Sequence, residues 1–233
     1  MHEYPLQQLI EDIDQSSSAD EFDQAAQNAL AAFDEFNAQI IEQREAKLAC
    51  REGCSVCCWL RVDVFAHEIF LIVRHLRSHF TAGDIQELMV RLAVHSEKVL
   101  PLTPFEHATQ NIICPLLQNG RCSIYAVRPH SCRRHHSQDF AACQYTFDHP
   151  EDLDRPAAHE QVLFRALTEA IRENIKAYAV LGFDQTIYEL GTALNEALHD
   201  PETRQHWQNR EEAFIRASVS PLVDSTTGRT DHC

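Results

Sequence analysis

CREGCSVCC at residues 50–58 and CPLLQNGRCSIYAVRPHSCRRHHSQDFAAC at residues 114–143 are the two stretches that decide the fold. They hold eight of the nine cysteines of the chain, and the ninth is Cys233. Scattered core thiols would not cluster in this way, and an odd number of cysteines does not fit a complete set of disulfides. We therefore interpret the cluster as a metal-binding centre to which both stretches contribute thiolates.

The predicted metal ligands form two groups of four, namely Cys50, Cys54, Cys57 and Cys58, followed by Cys114, Cys122, Cys132 and Cys143. Cys54 and Cys57 have the two-residue spacing that zinc knuckles and iron–sulfur loops share. The Cys114–Pro115 step also occurs beside iron–sulfur ligands. Arginines directly after Cys132 would lower the pKa of a neighbouring thiolate. Spacing leaves Zn²⁺ and an iron–sulfur cluster, for instance 4Fe-4S, both open, and the all-thiolate ligands slightly favour iron–sulfur.

Other side chains near the cysteines are weaker candidates. His135 or His136 could complete a mixed cysteine and histidine site, or could be exposed residues without that role. Glu68 could cap a helix, bind the metal or pair with an arginine. Trp59 is predicted to shield the metal from water, and Arg128 to hold the irregular loop through contacts with a carboxylate or carbonyls.

Helical periodicity dominates on both sides of the cysteines. Ser18 and Glu21 form a capping-box pattern before a helix that we expect to run to about Ala49, and a shorter helix is predicted over residues 6–13. Further helices are predicted over residues 67–80, 81–99, 103–106, 157–175, 187–198 and 200–214. Residues 110–156 contain five prolines and glycines that break the pattern, and we expect metal crosslinks to order them.

The sequence thus predicts a mainly α fold, a helical bundle around an irregular cysteine-rich metal-binding centre. A single domain is expected over residues 1–217. It comprises N-terminal helices (1–49), a cysteine-cluster core (50–156) and C-terminal helices (157–217). Residues 218–233 are predicted to be a disordered tail in which Cys233 has no role.

Composition bears on partners and location. The chain has 35 acidic and 20 basic residues and a formal net charge of −15, which disfavours nucleic acid and anionic membranes. No apolar run approaches the length of a transmembrane helix, and the N-terminus lacks the features of a signal peptide. We therefore expect a cytoplasmic protein that binds neither nucleic acid nor membranes, while a protein partner stays possible.

The order of motifs resembles the CxxCxxCC family, also called YkgJ-type, which is described as a zinc- or iron-chelating domain. The resemblance covers about residues 50–143 and includes VDVFAHE after the first cysteines. It implies six chelating positions, which are Cys54, Cys57, Cys58, Cys114, Cys122 and Cys132. It also carries over four motif positions of unstated role, which are Tyr125, Arg128, Pro129 and Arg133. The spacing from Cys50 to Cys54 is one residue longer than the family pattern.

The expected function is metal binding with a structural or redox role. The same cluster resembles part of flagellin lysine N-methylase, so a cluster-dependent protein lysine methylase that uses S-adenosylmethionine is the alternative. Metal delivery or sensing at a labile site is a third hypothesis. The chain has only six glycines and no GxGxxG motif, so no nucleotide-binding loop is indicated, and whether the protein is an enzyme stays open.

Overall fold

The computed structural model describes residues 6–51, 53–155 and 157–220. Within them the fold is mainly α-helical. The helices are α1 (Leu6–Gln15), α2 (Ala19–Gln43), α3 (Ala66–His79), α4 (Ala82–Val99), α5 (Pro104–Ala108), α6 (His130–Arg134), α7 (Phe140–Asp148), α8 (Gln161–Val180), α9 (Leu190–His199) and α10 (Glu202–Gln208). Short 3-10 helices cover Val56–Trp59 and Tyr125–Val127. The strands are β1 (Asp63–Val64), β2 (Leu117–Gln118), β3 (Arg121–Cys122), β4 (Ile187–Glu189) and β5 (Val219–Ser220).

Local signals fix the start of α2. The Ser18 hydroxyl accepts the N–H of Glu21 at 3.3 Å, and the Glu21 carboxylate accepts the N–H of Ser18 at 3.0 Å. This capping box confirms the predicted start. The predicted end near Ala49 is wrong, because α2 stops at Gln43 and Glu45 takes a left-handed backbone conformation with φ of 47°.

The main core forms around α3, α9 and a group of aromatic rings. Ile69, Ile72 and Leu76 lie on one face of α3 and are fully buried. Trp207 of α10 packs on Phe22 of α2, with ring centroids 5.5 Å apart. Full burial of each such side chain stabilises the fold by roughly 1.5–3 kcal/mol. Residues from both sides of the cysteine segments therefore share one core.

A three-stranded antiparallel sheet has the order β1-β4-β5. Val64 pairs with Tyr188, and Tyr188 pairs with Val219. Three sequence predictions for the C-terminal part of the chain are wrong. Ile187 lies in a strand instead of a helix, and the predicted tail forms β5 at residues 219–220. The last helix ends at Gln208, since Arg210 has φ of 69°.

The predicted irregular character of the central segment is confirmed, because residues 110–155 hold only short elements. A tight hairpin joins β2 to β3 through Asn119 (φ 51°) and Gly120 (φ 75°). Two successive positive φ angles define the turn that matches the twist of a two-residue hairpin. Cys122 is the second residue of β3. Among the described residues, no helix is both long and apolar enough to cross a bilayer. The predicted tail beyond residue 220, with Cys233, lies outside the described residues.

Candidate metal centre

Backbone hydrogen bonds place the two cysteine segments side by side. The N–H of Cys114 donates to the carbonyl of Cys58 at 2.8 Å. The N–H of Ala49 donates to the carbonyl of Ser137 at 2.7 Å. The first segment is therefore held between the chain before β2 and the chain before α7. All eight cysteines of the two segments are described, and all are free thiols.

One set of thiols surrounds Cys50. Burial is the main cause that raises the pKa of Cys50, and Cys57, Cys143 and Cys54 raise it further. Burial likewise raises the pKa of Cys143, with further contributions from Cys54 and Cys57. These four thiols lie within electrostatic range of one another. Cys143, which the sequence grouped with later cysteines, is therefore brought to the first segment by α7.

A second set surrounds Cys132 on α6. Burial raises the pKa of Cys132 to about 12, and Cys57 and Cys122 act in the same direction. Burial also raises the pKa of Cys114, and Cys132 and Cys122 add to the effect. Cys57 thus lies within range of both sets.

Cys57 and its neighbour Cys58 connect the two sets. The hydrogen bond to Cys58 is the largest cause that raises the pKa of Cys57, followed by burial. The backbone of Cys58 meets that of Cys114. The structure therefore brings all eight predicted cysteines into one continuous region.

Backbone amides point at several of the sulfurs. The N–H of Ser137 donates to Sγ of Cys50 at 3.3 Å. The N–H groups of Leu116 and Ile124, each two residues after a cysteine, lower the pKa of Cys114 and Cys122 against the dominant effect of burial. Amides aimed at sulfur stabilise thiolates and tune a bound metal or cluster.

The donor set fits a thiophilic metal, since eight thiols converge. Thiolates on a single tetrahedral Zn²⁺ lie about 3.8 Å apart, because each Zn–S bond is about 2.3 Å. Among the described residues, no three cysteine sulfurs lie within 4.8 Å of one another.

Arg128 was predicted to hold the irregular loop, but Arg133 makes those contacts instead. Arg133 donates to the carbonyls of Arg128 and Ala126 at 2.8 and 2.7 Å and pairs with Asp34, so it fixes the loop. Arg128 stacks on Tyr125 with its guanidinium carbon 4.3 Å from the ring centroid. Its charge lowers the pKa of Cys57 and Cys132 against the larger effect of burial and sulfur neighbours. Arg128 is therefore the principal cation at the thiols.

The flanking histidines have other partners. His136 interacts through Nδ1 with the carbonyl of Arg134 at 2.8 Å, and its Nε2 accepts the N–H of Glu160 at 3.2 Å. His135 packs edge-on against His159, with ring centroids 5.3 Å apart, and burial lowers its pKa to about 4. The described residues bring neither histidine into a group of three close ligand atoms.

Trp59 is half-buried at the edge of the cysteine region. Its ring packs edge-on against Phe147 of α7, with centroids 5.6 Å apart. The contact joins the first cysteine segment to the helix that carries Cys143. The shielding role of Trp59 stays a prediction.

Glu68 is buried and accepts hydrogen bonds from backbone N–H groups at the starts of two helices. Its carboxylate accepts the N–H of Phe65 at 2.9 Å, which caps α3, and the N–H of His130 at 2.8 Å, which starts α6. Burial alone would raise the pKa of Glu68, but the hydrogen bond and charge of His130 and the charge of His67 lower it to about 2. Of the three sequence alternatives, capping is confirmed, and the pairing partner is a histidine instead of an arginine.

Sequence reasoning missed the grouping of Glu68 with His67 and His130. One ligand atom from each of these buried residues lies within 4.8 Å of the other two. The helix-start pattern could have indicated the role of Glu68 as a cap. No spacing rule could have found His130, which lies 62 residues further along the chain.

Comparisons with known proteins agree with the position of the thiols. Residues 49–154 match the CxxCxxCC family model, described as "Putative zinc- or iron-chelating domain". No curated protein and no solved structure matches the chain. The matched range contains both cysteine segments and all eight clustered thiols. Residues 49–154 are therefore similar to the CxxCxxCC domain.

Proposed function

We propose that the eight clustered cysteines bind a thiolate-ligated iron–sulfur centre with a structural or redox role. The observation that carries the proposal is the convergence of Cys50, Cys54, Cys57 and Cys143 with Cys114, Cys122 and Cys132. Burial raises the pKa of most of these thiols, and a bound metal would hold them as thiolates. On this proposal the helices on both sides of the cysteine core form one domain with it.

The choice of iron–sulfur over zinc is supported by the sulfur separations. In a 4Fe-4S cluster each thiolate binds a different iron, so its sulfurs stand further apart than those on one zinc ion. Among the described residues no three cysteine sulfurs lie within 4.8 Å of one another, which suits such a cluster. The amides of Ser137, Leu116 and Ile124 near the sulfurs would tune its potential.

Reduced thiols are a condition of this function. The proposal therefore places the protein in a reducing compartment such as the cytoplasm, where free cysteines persist. The metal or cluster is the partner that the cysteine region fits best. An acidic chain with net charge −15 offers no electrostatic attraction to nucleic acid or anionic lipid.

Anaerobic purification is the direct test. We expect the full chain to carry iron and acid-labile sulfide in equal amounts, with broad visible absorption that reduction bleaches. A zinc content of one or two equivalents without sulfide, under strict exclusion of air, would show that the metal is zinc. A protein that retains neither metal after reconstitution would contradict the proposal altogether.

Serine variants locate the ligands. Cys57→Ser and Cys132→Ser should each lose most of the iron and sulfide, because Cys57 lies within range of both sets of thiols and Cys132 lies within range of Cys57 and Cys122. Cys233→Ser is the matched control, since this cysteine lies outside the family match. It should keep the wild-type iron content. Equal iron in all three variants would contradict the assignment of the site.

The alternative function, a lysine methylase that uses S-adenosylmethionine, requires a cofactor pocket beside the cluster. The cavity formed by Val127, Arg128 and Pro129 beside α3 measures about 10 Å³, which suits one water molecule and not a nucleoside. Calorimetry with the cluster-loaded protein tests this alternative. Saturable binding of S-adenosylmethionine would favour the enzyme, and no heat of binding would disfavour it.

A further inference from the structure

A second set of metal-type ligands lies beside the cysteine region. His67 and Glu68 stand at the start of α3, and His130 stands at the start of α6. All three are buried, with exposed fractions of 7%, 7% and 6%. One ligand atom of each lies within 4.8 Å of the other two. No cysteine belongs to this group.

Glu68 orients the imidazole of His130. The Oε1 atom of Glu68 lies 2.9 Å from Nδ1 of His130, and the same oxygen accepts the backbone N–H of His130 at 2.8 Å. A proton on Nδ1 donates to the ionised carboxylate, so Nε2 of the neutral ring carries the lone pair. Carboxylates commonly orient metal-binding histidines in this way.

Two imidazole nitrogens are buried without a partner. Nε2 of His130 and Nε2 of His67 are inaccessible to solvent and have no hydrogen-bond partner of normal geometry, although the side chain of Asn174 interacts with His67. The ring of His67 is clamped by Tyr178 of α8, which stacks on it with centroids 4.0 Å apart. Buried polar atoms normally have partners, so two unpartnered nitrogens in one group point to a missing electrophile.

The three side chains line one small cavity. Its volume is about 10 Å³, which is room for one water molecule or one metal ion. Ala26, Leu30 and Leu71 supply apolar walls, and Asn174 of α8 supplies an amide.

The charges around the cavity suit a cation. Glu68 contributes a carboxylate, and neither histidine needs to carry a proton on Nε2. Arg128 also lines the cavity, but its guanidinium stacks on Tyr125 and its charge acts on the thiols of Cys57 and Cys132. The ionised carboxylate of Glu68 therefore offsets part of the charge that a bound divalent ion would bring.

We propose that Nε2 of His67 and Nε2 of His130 bind one divalent transition-metal ion, such as Zn²⁺ or Fe²⁺, independently of the cysteine centre, and that Glu68 orients His130 through Nδ1. Imidazole nitrogen suits borderline ions of this class, whereas thiolate-rich sites favour softer ones. The ion joins the start of α3 to the start of α6, and α6 carries Cys132. Residues 49–154 thus contain two chemically different metal sites.

Cobalt loading tests the proposal on the full chain. Wild-type protein, His67→Gln and His130→Gln are stripped of metal, titrated with Co²⁺ under argon, and compared by bound equivalents and visible spectra. We expect each variant to bind one equivalent less than wild type, with unchanged sulfur-to-cobalt charge-transfer bands. The control His149→Gln/His199→Gln, which removes two exposed histidines, should match wild type. Equal stoichiometry in all four proteins would overturn the proposal.

A second measurement needs no variant. Cobalt on Nε2 of His130 would shift the exchangeable Nδ1 proton, which Glu68 holds, far outside the normal range of the proton NMR spectrum. We expect at least one such resonance that disappears in D₂O. Its absence from cobalt-loaded wild-type protein would show that the cavity holds water only. Loss of the sulfur charge-transfer bands would instead count against the cysteine centre, so the two sites fail separately.

Discussion

Arg133 of α6 forms an ion pair with Asp34 of α2, and this pair anchors the cysteine region to the helical body. The Arg133 side chain is only 6% exposed, and its remaining nitrogens donate to the carbonyls of Ala126 and Arg128. One guanidinium therefore joins α2, the loop before α6 and the helix that carries Cys132. A planar group with several fixed donors suits this task better than an ammonium group.

Replacement of Arg133 by lysine should lower the free energy of unfolding by about 2–3 kcal/mol. Lysine can keep an ion pair with Asp34, but it leaves buried carbonyls without donors. Urea denaturation followed by circular dichroism measures the change. Arg172→Lys is the control, because the Arg172–Glu169 pair is exposed, and its change should stay within about 0.5 kcal/mol. Equal effects of the two substitutions would contradict the anchoring role.

Replacement of Gly120 by alanine should destabilise the hairpin by about 1–2 kcal/mol. Space is available for a methyl group, but the φ of 75° is unfavourable for any residue with a Cβ atom. Gly83→Ala in α4 is the matched control, because its nearest neighbour would be Thr81 Oγ1 at an ordinary 3.7 Å. Alanine there should be neutral or stabilising by up to about 1 kcal/mol. Thermal unfolding of both variants measures the two changes in stability. A G120A protein more stable than wild type would refute the prediction.

Stability should fall between pH 6.5 and pH 4 because of His107. This side chain is 1% exposed, and burial lowers its pKa to about 4 despite the opposing charge of Glu189. The unfolded chain binds the proton near pH 6.5, so protonation favours unfolding throughout this window and costs at most about 3 kcal/mol.

His107→Gln tests the assignment. Glutamine cannot take up the proton, so the free energy of unfolding should fall less steeply with decreasing pH than in wild type. Urea titrations at four pH values, with equal metal content in both proteins, give the two slopes. Identical slopes would assign the acid sensitivity to other histidines, such as His135, which is partly buried and also has a lowered pKa.

Removal of metal should loosen the cysteine segments and spare the helical core. The packing of Ile69, Ile72 and Leu76 on α3 involves no thiol, whereas residues 50–58 and 114–143 contain little regular structure of their own. Hydrogen exchange before and after chelation under reducing conditions should show faster exchange in those two segments only. Unchanged exchange there would mean that bound metal does not order the loops.

The helix starts could be predicted because their signals are local. Ser18 with Glu21 and Thr81 with Asp84 form capping boxes within four residues, and both helices begin where the pattern indicates. The strand at residues 187–189 could not be predicted in this way. It pairs with β1 and β5 through Val64 and Val219, and both of these residues lie far from it along the chain.

The thiols of the candidate site could be found from the sequence, but their arrangement could not. Clustering along the chain identified all eight cysteines, whereas the helix α7 folds Cys143 back beside Cys50. Similarly, Arg128 and Arg133 are equivalent cations in the sequence. Their roles differ because only Arg133 lies within reach of Asp34 on α2. A contact between residues so far apart along the chain produces no periodic pattern in the sequence, so it could not be predicted.

The hydrogen bond from Cys114 to Cys58 bears on the order of events in biogenesis. The two cysteine segments are joined by a main-chain hydrogen bond that involves no sulfur atom. In a newly synthesised chain this contact can therefore hold the two segments near each other before any metal binds, so that a bound metal would only have to order side chains and loops that already lie side by side.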